Sequence, residues 1–285
     1  KNALAFKPDI VVIHLGINDT DPRNWPFFRD DFTKDYIALI RAFKDANPNA
    51  KFYIAKMSPI SHRHHRFVAG TRDWHKLIQA SIVRVAKSTG AHLIDFYNPL
   101  LPYPQMLPDG LHPNKAGAGV LARVVYQALT GNYGGLKMPM VFSDNMVVRR
   151  ERNFEVYGTA NAGQVVTGSF GNDKTSTVTK NDGTWRLLFA APRMGKTYTL
   201  TVTSEKRTLK FKNIVAGEVW LCSGQSNMAF PLASDEQGKE ALAIADDPNL
   251  RVLNMVPRWD TDNTEWSQQA LDSTNNLQYM RCNGW

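Results

Sequence analysis

The sequence predicts an α/β protein in which parallel-sheet parts flank a small antiparallel β-sandwich. Three observations carry that expectation. Apolar, strand-like runs alternate with helical periodicity from Pro8 to about Gly131. Between Tyr133 and Lys212 the hydrophobic period falls to two, and from Ile214 the apolar strand pattern returns. Alternation of strand and helix argues for a parallel sheet covered by helices, and period-two segments divided by turn residues argue for antiparallel strands.

Taken in order, KNALAFKPD reads as a helix end entering a strand. Pro8-Asp-Ile-Val-Val-Ile-His-Leu-Gly is a near-continuous apolar run of the kind a strand covered on both faces requires. Phe32, Tyr36, Ile40 and Phe43 then recur at helical spacing, with Pro48 beyond them. Lys51 to Met57 is the second strand, and Trp74, Ile78, Ile82 and Val85 mark a second helix closed by Gly90. Ala91 to Phe96 is the third strand, followed by a Pro-rich loop and a helix carrying Val120, Leu121, Val124 and Ala128, with Gly131 as its C-cap. The segments NFEVYG, QVVTGSF, TSTVTK, WRLLFA and YTLTVTS make the sandwich, with Asp182-Gly183 as a hairpin signal. A strand from Val215 to Cys222, a helix from about Glu236 to Ala245 and a strand from Arg251 to Val256 follow; Asn263 to Trp285 shows no clear period. The expected division is 1–132, 133–213 and 214–285.

Composition narrows the function classes. With 43% hydrophobic and 21% charged residues the chain is globular in character. No apolar run approaches the roughly 18 to 20 residues of a membrane helix. The chain carries neither an initiator Met nor a signal segment and is expected to begin inside an element. A formal charge of +8 and a pI near 9.4 would suit acidic partners, yet basic residues are scattered and no nucleic-acid motif accompanies them, so no nucleic acid is expected. Two cysteines, Cys222 and Cys282, are too few for a disulfide framework, and Cys222 reads as a buried small residue.

Chemistry concentrates in three short stretches. Gly16-Ile17-Asn18-Asp19 follows the first strand, where open parallel sheets bind ligands; it is either an ordinary turn or one whose Asn18 amide donates to an oxyanion. In Asp109-Gly110-Leu111-His112-Pro113-Asn114, an Asp three residues ahead of a His can hold one imidazole nitrogen and leave the other free as a general base; the plain alternative is a polar loop with Pro113 in the first turn of a helix. Gly224-Gln225-Ser226-Asn227-Met228 is either a capped strand-to-helix turn or a presented nucleophile, and all seven histidines lie at or before His112. His62, His64 and His65 lack a metal-site arrangement, and His14, His75 and His92 read as structural. Tyr157, Trp185 and Tyr198 are candidate glycan-facing aromatics on a sandwich that otherwise only packs beside the catalytic part.

Gly16 to Asp19 and Asp109 with His112 resemble the third and fifth motifs of the SGNH hydrolases (GDSL-like esterases), over roughly residues 1–131. The resemblance implies a flavodoxin-like fold, His112 as general base, Asp109 as its orienting partner, and Asn18, with Gly16, at the oxyanion. The motifs bearing that family's serine and oxyanion glycine do not precede these residues, so this part resembles the rear half of such a domain. From Met138 to about Trp266, Ser143-Asp-Asn-Met-Val-Val148 and Gly217-Glu-Val-Trp-Leu-Cys-Ser-Gly-Gln-Ser-Asn-Met228 resemble the start of a sialate O-acetylesterase, implying Ser226 as nucleophile.

Together the resemblances imply a serine esterase that removes acetyl groups from carbohydrate through an acyl-enzyme. No metal or organic cofactor is expected, the partner is an acetylated glycan, and the location is periplasmic or secreted. The expected origin is a fragment of a tandem protein: the rear of one esterase, a sandwich and the front of a second. A permuted single domain, with contacts between the two half-domains, is the other arrangement. A glycan-binding or scaffolding module with an incomplete site is the alternative in another class.

Overall fold

Parallel pairing organises the front of the chain. In the computed structural model, which describes residues 2–60, 64, 72–101, 103–222, 224, 226–228, 230–247, 249–253, 255–257 and 280–282, strands β1 (Ile10–Ile13), β2 (Lys51–Lys56) and β3 (His92–Asp95) form one sheet in the order β1-β2-β3. Both pairings are parallel, with Val12 opposite Tyr53 and Ile54 opposite Leu93. Helices α1 (Asn2–Ala5), α2 (Trp25–Ala46), α3 (Arg72–Thr89) and α4 (Lys115–Thr130) complete this unit, whose described residues lie within 2–130.

Alternation along β2 explains how helices come to cover both faces. Phe52 and Ile54 point toward α2 and α3, where they meet Ile40, Ile78, Ile82 and Val85. Tyr53 and Ala55 point the other way, with Ile94 and Phe96, against Leu121, Val124 and Val125 of α4. Ile40, Ile54, Ile78 and Ile82 are fully buried, and each such side chain is worth about 1.5–3 kcal/mol over an exposed one. Among the described residues the two-faced cover expected for β1 is found on one side only. Val11 and Ile13 join the α2–α3 core, but Ile10 and Val12 are exposed. The reason is position: β1 is the edge strand of the described sheet, and α4 packs over β2 and β3.

The second unit comprises Gly131–Pro257 together with the short strand at 280–282. A five-stranded sheet runs β4 (Val147–Arg149), β10 (Arg207–Gly217), β9 (Thr197–Ser204), β6 (Val165–Phe170), β7 (Asp173–Val178), and β5 (Phe154–Thr159) pairs with β8 (Thr184–Phe189). Val156, Trp185, Leu187 and Phe189 share one core with Val166, Phe170, Leu200, Val202 and Ile214. Asp182-Gly183 forms a tight turn, with the Gly183 N–H donating to Lys180 O at 3.0 Å, but the strands on either side are not a hairpin. β7 pairs with β6 and β8 with β5, so the turn carries the chain from one sheet to the other.

The tail departs most from expectation. The strand expected from Val215 to Cys222 ends at Gly217 as the last part of β10, which runs through position 213 with a register shift between Phe211 and Ile214. Glu218 to Cys222 lie outside any strand, and Cys222 is exposed rather than buried. The tail helix is α5 (Gly238–Ala243). β11 (Met255–Pro257) pairs antiparallel with β12 (Met280–Cys282), which no sequence period announced. Among the described residues after Gly217 no parallel strand pair forms. A run of apolar residues becomes a strand only where a neighbour takes its backbone groups and a core its side chains. Val219, Trp220 and Leu221 are exposed, the last two almost fully.

Candidate active site

The segments that leave β1 and β3 carry the predicted chemistry of the first unit, and in open parallel sheets the carboxyl ends of strands are where ligands bind. After β1 the chain turns at Gly16, whose φ of +112° disfavours any residue with a Cβ. A Cβ there would also stand 2.9 Å from Ile78 Cγ2 and 3.0 Å from Met57 Sδ. Gly16 therefore lets the strand end press against α3. Asn18 opens a 3₁₀ turn, Asn18–Thr20, and is exposed. The turn is closed by Asp19 N–H to Gly16 O at 3.1 Å and held from the outside by the Asn24 amide, which donates to Asn18 O at 3.0 Å.

At the end of β2 the backbone is held by a side chain that the sequence did not single out, Gln79. Gln79 of α3 accepts from Met57 N–H at 2.8 Å and donates to Met57 O at 3.1 Å, satisfying both backbone groups of one residue. His75, on the same helix face one turn earlier, is buried with Nε2 3.0 Å from Ser58 O. His14 Nε2 lies 3.4 Å from Ser58 N–H. His75 is thus structural, as expected, whereas His14 is exposed. The signal for Gln79 was its place four residues after His75 on an otherwise apolar face, which a helix brings into line. His62 and His65 lie outside the described residues, and His64 is half-buried.

Asp109 and His112 come together. Asp109 Oδ2 lies 2.6 Å from His112 Nδ1, and Asp109 Oδ1 accepts from the backbone N–H of His112 at 2.6 Å and of Leu111 at 2.9 Å. Gly110, at φ +79°, lets the loop fold back so that one carboxylate reaches all three donors. With the backbone N–H of His112 the largest cause, followed by its ring and the N–H of Leu111, the Asp109 carboxyl is held far below the usual carboxylate range. An ionised Asp109 fixes the His112 tautomer with its proton on Nδ1, leaving Nε2 as an acceptor on a ring that faces solvent. The dyad is braced from behind. Asn114 N–H donates to Met106 O at 2.8 Å, and Asn114 Oδ1 accepts from Gly117 N–H at 3.0 Å, capping α4. Pro113 sits just ahead of that helix, which starts at Lys115, rather than in its first turn.

Ser226 belongs to the second unit, where it opens a 3₁₀ turn, Ser226–Met228, and is exposed. Gln225 and Ser223 of its motif lie outside the described residues. Of the candidate glycan-facing aromatics, Trp185 is buried in the core. Tyr198 stacks on Phe170 at 4.7 Å, its hydroxyl accepting from Arg193 N–H at 2.8 Å, and of the three Tyr157 alone is exposed, its ring set edge-on to Phe142. Period two places alternate residues on opposite faces but does not say which face is the core.

Residues 1–120 match the GDSL-like Lipase/Acylhydrolase family. Over 145 residues the chain is 32% identical to an acetylxylan esterase of Xylanibacter ruminicola, covering 45% of this chain and 30% of the relative. The chain thus spans less than a third of that relative's length. Among solved structures it is similar to a carbohydrate acetylesterase from Xanthomonas citri, at 26% identity and a TM-score of 0.42, over 46% of this chain and 30% of the other. A carbohydrate esterase family 3 protein from Talaromyces cellulolyticus is 24% identical, with a TM-score of 0.37, over 45% and 59% of the two chains.

Proposed function

We propose that the chain takes part in hydrolysis of O-acetyl esters on carbohydrate by acyl transfer through a serine. The observation that carries the reading is the Asp109–His112 pair: a carboxylate pinned by two backbone N–H groups, 2.6 Å from Nδ1 of an open imidazole whose Nε2 is unoccupied by that bond. In the proposed reaction a serine Oγ attacks the acetyl carbonyl while His112 Nε2 takes its proton. The sugar hydroxyl leaves with that proton, and a water, deprotonated by the same nitrogen, frees acetate from the acyl-enzyme. Asn18, with the backbone at Gly16, stabilises the tetrahedral oxyanion. Ser226 is the candidate nucleophile, on the resemblance of its motif to sialate O-acetylesterases. The acetylxylan esterase relative makes acetylated xylan the first substrate to try, ahead of O-acetyl sialic acid.

The test is acetate release from acetylated xylan and from p-nitrophenyl acetate by the 285-residue chain, beside Ser226→Ala and His112→Ala. Activity lost in both variants supports the reading with Ser226 as the serine that His112 serves. Activity lost in His112→Ala alone assigns the base and removes Ser226. Activity untouched by His112→Ala overturns the reading.

A further inference from the structure

The end of β4 gathers charge that the sequence presents only as the run Arg149-Arg150-Glu151-Arg152. With Glu218, just past the end of β10, these residues line a cavity of about 230 Å³. Its floor is ordered by the parallel ladder between β4 and β10, which Arg150 N–H extends by donating to Gly217 O at 3.1 Å. Glu151 stands at φ +58°, a conformation that few residues with a side chain adopt, so the chain turns sharply and carries Arg149 and Arg152 to the same cavity. The Arg150 guanidinium is held between two carboxylates: Nε donates to Glu218, and Nη1 to Glu151 at 3.1 Å. Among the described residues no carboxylate pairs with Arg149 or Arg152. Three guanidinium groups against two carboxylates leave a surplus of one positive charge, and the two uncommitted groups are planar forks suited to a carboxylate.

We propose that this cavity is a binding site for the carboxylate of a uronic acid, carried as a side group on the polysaccharide that the chain engages. The identification of that polymer rests on the carbohydrate reading above; the cavity itself supplies the anion specificity. A single surplus charge suits one carboxylate on a long neutral chain better than a densely charged polymer, whose further charges would meet Glu151 and Glu218. The carbohydrate esterase would be anchored on acid-substituted stretches through its second unit, with Arg149 and Arg152 gripping the acid and Arg150 holding the rim in shape.

The experiment is affinity electrophoresis of the 285-residue chain in gels containing deacetylated glucuronic-acid-substituted xylan, neutral arabinoxylan or dextran sulfate. Glucuronoxylan should bind about tenfold more tightly than arabinoxylan, a preference worth about 1.4 kcal/mol, and about 0.5 M salt should remove it because the contacts are exposed. The Arg149→Ala/Arg152→Ala variant should bind the two xylans alike, with an unchanged melting temperature since both side chains lie on the surface. Equal binding of both xylans by the unsubstituted chain, or a preference that survives in the double variant, overturns the site. Dextran sulfate binding as tightly as glucuronoxylan also overturns it, leaving only general anion attraction. Should the double variant fail to fold, Arg152→Glu must abolish the preference by itself. Because the xylans carry no acetyl groups, binding without esterase activity sinks the esterase reading alone, and esterase activity without a uronate preference sinks the site alone.

Discussion

Asp109 takes three hydrogen bonds from the loop around His112, and Asn114 ties the same loop to Met106 and to the first turn of α4. Ser226, in contrast, opens a short 3₁₀ turn whose own Met228 is exposed, as are Trp220 and Leu221 before it and Phe230 after it. One candidate catalytic group is therefore built in place by local bonds, and the other belongs to a segment whose apolar residues are uncovered. The difference teaches where preorganisation comes from. A base and its orienting carboxylate can be assembled within one loop, whereas a nucleophile turn after a strand depends on the sheet and helix around it, which are long-range contacts.

The largest effect should come from removing the built group. His112→Ala should lower kcat/KM on acetylated substrates by about a thousandfold, within the span typical of a general base, while leaving the melting temperature nearly unchanged because the ring is exposed. A matching loss of stability would show that the ring holds the loop rather than performing chemistry. Next in size is Gly16→Ala, which meets a disfavoured φ and a 2.9 Å contact with Ile78 together. It should cost about 2–3 kcal/mol in urea unfolding followed by near-UV signals of the first unit. Gly90→Ala separates the two causes. It has a φ of +68° but nothing within 4 Å of the added Cβ, so it should cost only about 1 kcal/mol. Equal costs at the two positions would mean that close packing of Gly16 on α3 is not what positions the Asn18 turn.

The same contrast explains what could be read from the residues alone. β1, β2 and β3 were legible because apolar runs separated by helical periodicity admit few arrangements, and the Asp109–His112 pair because its partners are three residues apart with Gly110 between them. The cover of β1 was not: an apolar run says that faces can be buried, not that a helix lies over each, and Ile10 and Val12 are exposed at the sheet edge. The run Val219 to Cys222 misled for the same reason, its strand pattern having no partner strand among the described residues. Pairing of β11 with β12 depends on contacts across more than twenty residues, and three-residue strands carry no measurable period. The Asp182-Gly183 signal gave the turn correctly but not the sheets to which the adjoining strands go.

Acidity probes the first unit by two groups with the same sign and different windows. Burial pushes the His75 imidazole below its ordinary value, against a weaker opposing effect of Ser58 O. The unfolded chain then binds the proton more readily, so stability is full above about pH 6.5 and falls as pH drops through the lower folded value. His75→Gln, whose amide can still donate to Ser58 O, should reduce that slope in urea midpoints measured from pH 7.5 to 5, the remainder belonging to His14, whose imidazole is also held below its ordinary value by desolvation. The depressed Asp109 carboxyl contributes stability present above the ordinary aspartate value of about 4 and lost only as pH falls well below it. Carbon-detected NMR should therefore find Asp109 still ionised at about pH 3. Titration there with an ordinary midpoint would break the account of how the loop orients His112.

The smallest expected effect bears most directly on the comparison. Ser226 is exposed and its apolar neighbours are uncovered, so Ser226→Ala should change stability by less than about 0.5 kcal/mol. A cap that held the turn would instead cost about 1 kcal/mol. A fluorophosphonate probe adds the chemical half of the test, since it reacts at a serine only where a base assists. Labelling of Ser226 that disappears in His112→Ala would mean that the loop and the turn act in one reaction despite their unequal support. Labelling that persists would mean that Ser226 draws on another base. Failure of Ser226 to react while a substrate is still hydrolysed would place the nucleophile elsewhere and reduce the Gly-Gln-Ser-Asn-Met turn to a structural one. The stability change and the labelling are independent, so a serine that is neutral to the fold and reactive to the probe is the one combination that makes Ser226 a nucleophile rather than a cap.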